Sequence, residues 1–305
     1  MAGPLTLLDG AVGTELARRG VDARGPLFGA QALLDPRGRA LLGEIHREYL
    51  SAGAGVITAA TFRTNLRAVL GSGVSGARFP ALAEAAVRVA LEAAAGRARV
   101  AGSVAPVADC YRPALSPPRS VALREHGETA RALAGAGCDL LLVETVCAAE
   151  EGLAAVEACA ATGLEVWVAA MAAPPASGRG APSSSDASGL GAPVLLDGGD
   201  LAAFFRRARD AGARAALINC TPCDGIDFAL PAAAGSGLAW GAYAHMGEID
   251  PALAWPASPV LAPEAYRARA AAWIAGGATL VGGCCGTTPA HIRALARLAD
   301  GPQPT

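Results

Sequence analysis

The stretch TLVGGCCGTTPAHI, residues 279–292, places two thiols, Cys284 and Cys285, side by side between an apolar run and a helical pattern. A third, Cys220, ends the apolar run RAALINC, and Cys223 follows it in a C-x-x-C spacing. Adjacent cysteines rarely bridge each other, because the ring is strained. At consecutive loop positions they can instead bind one metal. With Cys220 they form a set of three thiolates, and that set suits zinc. A closed structural zinc site takes four protein ligands, whereas three with a vacancy is the catalytic pattern. Zinc under three thiolates carries about −1 net charge, which makes it a poor Lewis acid. It can still hold a fourth thiolate, deprotonated near neutral pH yet electron-rich. Such a site alkylates a thiol.

The competing reading treats cysteine as a small, often buried apolar residue. Cys110, Cys138, Cys147 and Cys159 are assigned to it. Cys220 and Cys223 alone are compatible with either zinc or redox chemistry. Cys223 is taken as a bystander, since Cys284 and Cys285 already supply the other two ligands.

For these thiols to meet, the elements carrying them must converge. Short apolar runs (LTLL, GVITAA, ARVAGSV, CDLLLVE, LEVWVAAM, RAALINC, GLAWGAY, ATLVGGC) alternate with alanine-rich helical patterns such as RGRALLGEIHREYLSAG and TPAHIRALARLA. Small pairs recur just before strands: Ala52-Gly53, Ala136-Gly137, Ala211-Gly212 and Gly276-Gly277. A glycine there ends a helix in the left-handed conformation. The alternation argues for a parallel sheet covered by helices. Eight units in 305 residues fit a single-domain α/β (β/α)8 TIM barrel spanning 1–305, with a doubly wound open sheet as the alternative. In a barrel, residues just past the strands share one mouth, so Cys220 after the sixth strand and Cys284 and Cys285 after the eighth converge. Residues 172–200, rich in Pro, Gly and Ser, read as a mobile loop, either a surface insertion or a lid.

The net charge of −2 and the lack of a basic block leave no basis for nucleic-acid binding, and the absence of lysine excludes Schiff-base chemistry on a lysine. No basic leader precedes Asp9, and no uncharged apolar run reaches about 18 residues. The expectation is a cytoplasmic protein without a membrane partner, its eight cysteines mostly reduced.

With Cys220 and GGCCGTTP in view, the chain resembles the homocysteine S-methyltransferase family, which includes betaine–homocysteine methyltransferases and the homocysteine module of methionine synthase. LLDGAVGTEL (7–16), ITAATFRTN (57–65), AGSVAPVADCYRP (101–113), LLLVET (140–145), INC (218–220) and GGCC (282–285) carry the resemblance nearly end to end. It implies a barrel, Zn2+ held by Cys220, Cys284 and Cys285, and homocysteine bound through sulfur. The nucleophile is then the zinc-activated substrate thiolate and no protein side chain. The resemblance puts Asp9 and Gly10 on the loop that meets the amino-acid group and Glu144 against the ammonium. Thr58 and Thr61 share the second-strand motif, with the contact open between them. The structural alternative for Asp9 and Glu144 is a helix cap or an ion pair at the barrel bottom.

The chain departs from its relatives after the seventh strand. A Tyr-Pro-Asn-x-Gly-Glu-like stretch is replaced by AYAHMGEID, which keeps Tyr243, Gly247 and Glu248 but carries Ala244 and His245. His245 is either a donor-side group or a solvated loop residue. The implied partners are homocysteine and a small methyl donor. The lack of a cobalamin or folate domain and the few aromatics, set against a betaine cage, point to a sulfonium, S-methylmethionine or S-adenosylmethionine. The alternatives are another small thiol or selenol, a betaine-type donor, or a non-catalytic zinc- or metabolite-binding barrel.

Overall fold

The computed structural model describes residues 4–174, 191–246 and 261–299. Eight strands form one parallel sheet: β1 (Thr6–Leu7), β2 (Val56–Ala59), β3 (Arg99–Val104), β4 (Leu140–Val146), β5 (Glu165–Ala170), β6 (Ala213–Asn219), β7 (Ala239–Tyr243) and β8 (Leu280–Val281). Each falls on one of the apolar runs. The sheet order runs from β2 in sequence to β8 and on to β1. Thr6 pairs with Leu280, and a parallel bridge from Leu8 to Val56 closes the ring. The (β/α)8 barrel is therefore the observed architecture, and the doubly wound alternative is excluded.

The helices cover the outside, because their apolar stripes need the outer face of the strands. Local signals set their ends. Asp35 caps the helix Pro36–Ser51 by accepting from Arg37 N at 2.8 Å and Gly38 N at 3.0 Å, with Pro36 in the first turn. A reciprocal capping box of Thr288 and His291 opens Pro289–Ala296, the helix after the cysteine pair. The small pairs before strands behave as expected: Gly53 and Gly277 have φ of 107° and 105°. Among the described residues, no helix is long and apolar enough to cross a membrane.

The barrel interior is what positions the site. Alternate residues of each strand point inward. One apolar layer holds Val56, Ala101, Leu140, Leu142, Trp167, Ala169, Ala215, Leu217 and Leu280. Two residues further along four of these strands, on the same inward face, stand Thr58, Ser103, Glu144 and Asn219, and Tyr243 of β7 joins them from the edge of the apolar layer. The polar layer therefore rests directly on an apolar plug, at the strand C-terminal ends where barrel sites form.

Residues 175–190 of the expected mobile loop lie outside the described residues. Its two ends do not: Ala173 N donates to Val194 O at 2.9 Å, and Asp200 caps the helix Leu201–Asp210.

Candidate metal and substrate site

A cavity of about 720 Å³ opens at the C-terminal end of the barrel, and its wall includes Cys220, Cys284 and Cys285. The three sulfurs lie within 4.8 Å of one another, and among the described residues no other group of three or more histidine, cysteine or acidic side chains is arranged to hold a metal. The backbone imposes this convergence. Cys220 sits at φ 47°, a strained conformation for a residue with a Cβ. The Asn219 side chain braces it: Oδ1 accepts from Thr145 N at 3.1 Å and Nδ2 donates to Thr145 Oγ1 at 3.0 Å. Thr145 is itself left-handed at φ 59°, so the ends of β4 and β6 brace each other.

The cysteine pair is held by the chain that follows β7. Cys284 N donates to Ala244 O at 2.9 Å, and Met246 N donates to Cys285 O at 2.7 Å. Gly283 is required by crowding, since a Cβ there would lie 2.3 Å from Thr287 Oγ1. That hydroxyl closes the turn by donating to Cys284 O at 2.6 Å.

The sulfurs share protons unequally. Cys284 is pulled down to about 5 by hydrogen bonds from Cys220 and Cys285. Cys220 is raised, chiefly by its bond to Cys284, and Cys285 is raised by its bonds to Cys220 and Cys284. Three sulfurs this close cannot all ionise without a cation among them, so the donor set fits a thiophilic divalent metal.

Two buried carboxylates occupy the same cavity. Asp9 receives Thr58 N at 2.8 Å and Thr58 Oγ1 at 3.0 Å. Glu144 receives the Ser103 hydroxyl on one oxygen and the Tyr243 hydroxyl on the other at 3.1 Å. Burial raises both, Asp9 to about 8 with Glu144 adding repulsion, and Glu144 to about 7. No arginine pairs with either among the described residues. Both lie at strand C-terminal ends, so neither is a barrel-bottom ion pair. This arrangement lowers the cost of ionisation only when a cation enters.

The other residues singled out in the sequence divide. Gly10, Thr58 and Tyr243 line the cavity with Asp9 and Glu144. A Cβ at Gly10 would meet Tyr49 Cε1 at 2.7 Å, so that loop tolerates no side chain. Thr61 does not reach the cavity: its buried hydroxyl donates to Ser103 O at 2.9 Å. His245 is neither a solvated loop residue nor part of the cavity wall. It is 9% exposed, it interacts with the Cys220 thiol, and its Nδ1 has no partner among the described residues. Glu248 and Gly247 lie outside the described residues. Cys223 opens the helix Cys223–Ala234 and is not in the sulfur group.

Two contributors went unread in the sequence. Ser103 had no motif of its own, although its place two residues beyond Ala101 on an inward face was available. Tyr111 hydrogen-bonds through its hydroxyl to Cys220 Sγ at 3.1 Å. Nothing in VADCYRP distinguishes this tyrosine from a surface one.

Comparison with known proteins adds to this geometry. Residues 6–299 match the family described as homocysteine S-methyltransferase. Homocysteine S-methyltransferase 1 of Zea mays is 27% identical over 98% of this chain and 96% of its own length. Homocysteine S-methyltransferase YbgG of Bacillus subtilis is 28% identical over 97% and 95%. The metallated crystal form of the homocysteine methyltransferase MmuM from Escherichia coli superimposes with a TM-score of 0.76, at 27% identity over 97% of this chain and 96% of that one.

Proposed function

The chain belongs to the homocysteine S-methyltransferase family, and from that premise we propose that it is a zinc-dependent enzyme that moves a methyl group from a sulfonium donor to the sulfur of L-homocysteine, giving methionine. The observation that carries this reading is the pairing of a three-sulfur cluster with two cation-seeking carboxylates on one cavity wall. An aminothiol is the ligand with a sulfur for the first and an ammonium for the second.

Cys220, Cys284 and Cys285 would hold the zinc, which when bound keeps the substrate sulfur deprotonated and nucleophilic. The chain's own residues do the rest. Glu144, and Asp9 beside it, receive the ammonium. Ser103, Tyr243 and Thr58 hold the carboxylates in place and favour their charged forms. Gly10, where a Cβ would strike Tyr49, lines the cavity beside Asp9. The apolar plug beneath excludes water from the cavity floor. In the transfer, the homocysteine sulfur uses one electron pair to bond the methyl carbon. The donor's S–CH3 bond breaks, and its pair stays on the donor sulfur, which leaves as a neutral thioether. Positioning supplies much of the acceleration.

The donor is read as S-methylmethionine or S-adenosylmethionine. One observation keeps a betaine-type donor as the second reading: although the chain has only 14 aromatic residues, Phe28, Phe62, Tyr111 and Tyr243 all line this cavity. Their faces suit a sulfonium or a methylated ammonium equally. A set of three free thiols that binds metal suits a reducing compartment, which supports a cytoplasmic location. The test is incubation of zinc-loaded protein with L-homocysteine and, in turn, S-methylmethionine, S-adenosylmethionine and betaine, with methionine read by mass spectrometry. Methionine from a sulfonium supports the reading. Methionine from betaine alone reassigns the donor, and none from any donor overturns the activity.

A further inference from the structure

The donor end of the cavity has a charge pattern of its own. Three arginines line the wall, Arg24, Arg63 and Arg112. Arg24 is spent on Asp22, through Nε to Oδ1 at 2.9 Å and Nη2 to Oδ2 at 3.1 Å. Arg63 is held by the carbonyls of Pro106 and Ala108 and lies over the Phe62 ring at 5.2 Å. Arg112 alone of the three makes no side-chain hydrogen bond or ion pair among the described residues, and it is exposed to the cavity. Asp109, also on the wall, accepts Tyr111 N on Oδ1 at 2.9 Å and leaves Oδ2 open.

These two charges flank Tyr111, whose hydroxyl touches Cys220 Sγ at 3.1 Å. The segment is firmly placed. Arg63 clamps it from beneath, and Arg112 N donates to Asp109 O at 3.0 Å. In a sulfonium poised for attack the methyl carbon sits about 3–3.5 Å from the accepting sulfur, with the donor sulfur in line behind it. In an amino-acid sulfonium the α-carbon lies three bonds farther out, so its ammonium and carboxylate project away from the sulfur cluster along the wall that bears Tyr111. The carboxylate pair Asp9 and Glu144 is already committed to the first amino acid.

Building on the reading of the site as a homocysteine methyltransferase, we propose that Asp109 and Arg112 form a clamp for the donor's α-amino-acid end, Arg112 taking the carboxylate and Asp109 the ammonium. The donor is then a zwitterionic amino acid bearing the sulfonium, and sulfoniums that lack either charge are disfavoured. The shared chemistry covers S-methylmethionine and S-adenosylmethionine. Arg112 would repel a bare sulfonium, which adds to the discrimination.

The test is calorimetric binding to zinc-loaded protein of three probes: S-methylmethionine, dimethylsulfoniopropionate, which lacks the ammonium, and trimethylsulfonium, which lacks both charges. Arg112→Gln should weaken the first two by about tenfold and leave trimethylsulfonium unchanged or tighter. Asp109→Asn, which keeps the acceptor for Tyr111 N, should weaken S-methylmethionine alone. Homocysteine affinity and zinc content should match the wild type in both variants. Equal losses across the probes, or no loss, overturn the clamp, as does wild-type protein that binds S-methylmethionine no better than trimethylsulfonium. Failure of the underlying reading is separately visible, as wild-type protein that does not bind homocysteine.

Discussion

The sulfur corner and the carboxylate corner of this cavity are built by different means. Cys220 is forced to φ 47° and Gly283 admits no Cβ, so the sulfurs converge because the backbone leaves them no alternative. Asp9 and Glu144 are aimed by hydrogen bonds to their side chains from Thr58 (backbone N and hydroxyl), Ser103 and Tyr243, each on a different strand. Backbone-built geometry fails as a unit when one residue changes, whereas hydrogen-bonded geometry degrades one contact at a time.

The largest effects are therefore expected at the sulfur corner. Cys220→Ser, Cys284→Ser and Cys285→Ser should each cost at least about a hundredfold in zinc affinity, more than is usual for loss of a residue that merely supports a ligand. Gly283→Ala should lose zinc comparably, though it removes no ligand, because its Cβ would collide with Thr287 Oγ1. Cys223→Ser should keep full zinc. Metal analysis of the purified variants decides this, and a Gly283→Ala protein with normal zinc would break the contrast between the two corners.

At the carboxylate corner, Glu144→Gln should leave zinc intact and weaken homocysteine by about ten- to a hundredfold, the worth of one charge-assisted hydrogen bond. Titration calorimetry with the zinc-loaded variant measures it. Unchanged affinity would return Glu144 to a structural role.

How far each corner could be read in the sequence follows from how it is built. Backbone constraints leave compact marks, and GGCC beside a strand, with LINC two strands earlier, predicted both the barrel mouth and the sulfur trio. The eight apolar runs were equally plain, because parallel strands buried on both faces have no polar alternation to confuse them. The carboxylate corner is distributed. Ser103 and Tyr243 contribute one hydroxyl each from separate strands, and their meeting on Glu144 depends on a register that one sequence does not display. His245 was only half legible for a related reason. Its loop position left solvent and the mouth equally open, and the chain beyond β7 buries it near Cys220, which excludes solvent.

The pH response sharpens the comparison further. Asp9 and Glu144 have folded values raised from 3.8 to about 8 and from 4.5 to about 7. The folded state thus holds protons that the unfolded state has released, and the ligand-free protein should lose stability as pH rises from about 4 to about 8. Asp9→Asn and Glu144→Gln should flatten that slope and stabilise the ligand-free protein at pH 8 by roughly 1–3 kcal/mol. Denaturation midpoints between pH 5 and pH 8 test this, and slopes identical to wild type would contradict it.

The smallest effect belongs to a buried titratable group outside the site. His46, in the helix Pro36–Ser51, is fully buried, and neither ring nitrogen has a partner among the described residues. Burial, with Arg47 adding repulsion, lowers it from 6.5 to about 4. Its neutral form is the one the fold accepts, so its contribution is present above about pH 6.5 and lost as pH falls through 4, opposite in sign to the carboxylates. His46→Leu should remove that acid-side loss and raise stability at neutral pH by about 1 kcal/mol, with zinc and homocysteine binding unchanged. A destabilised variant would show that the imidazole fills space no leucine can.

The central claim is that Cys220, Cys284 and Cys285 hold one zinc to which homocysteine adds its own sulfur. Zinc-edge X-ray absorption reads the sulfur count directly. The expected result is three sulfurs per zinc in the protein alone and four with saturating L-homocysteine. Fewer than three sulfurs before substrate, or a count that homocysteine does not change, would contradict it.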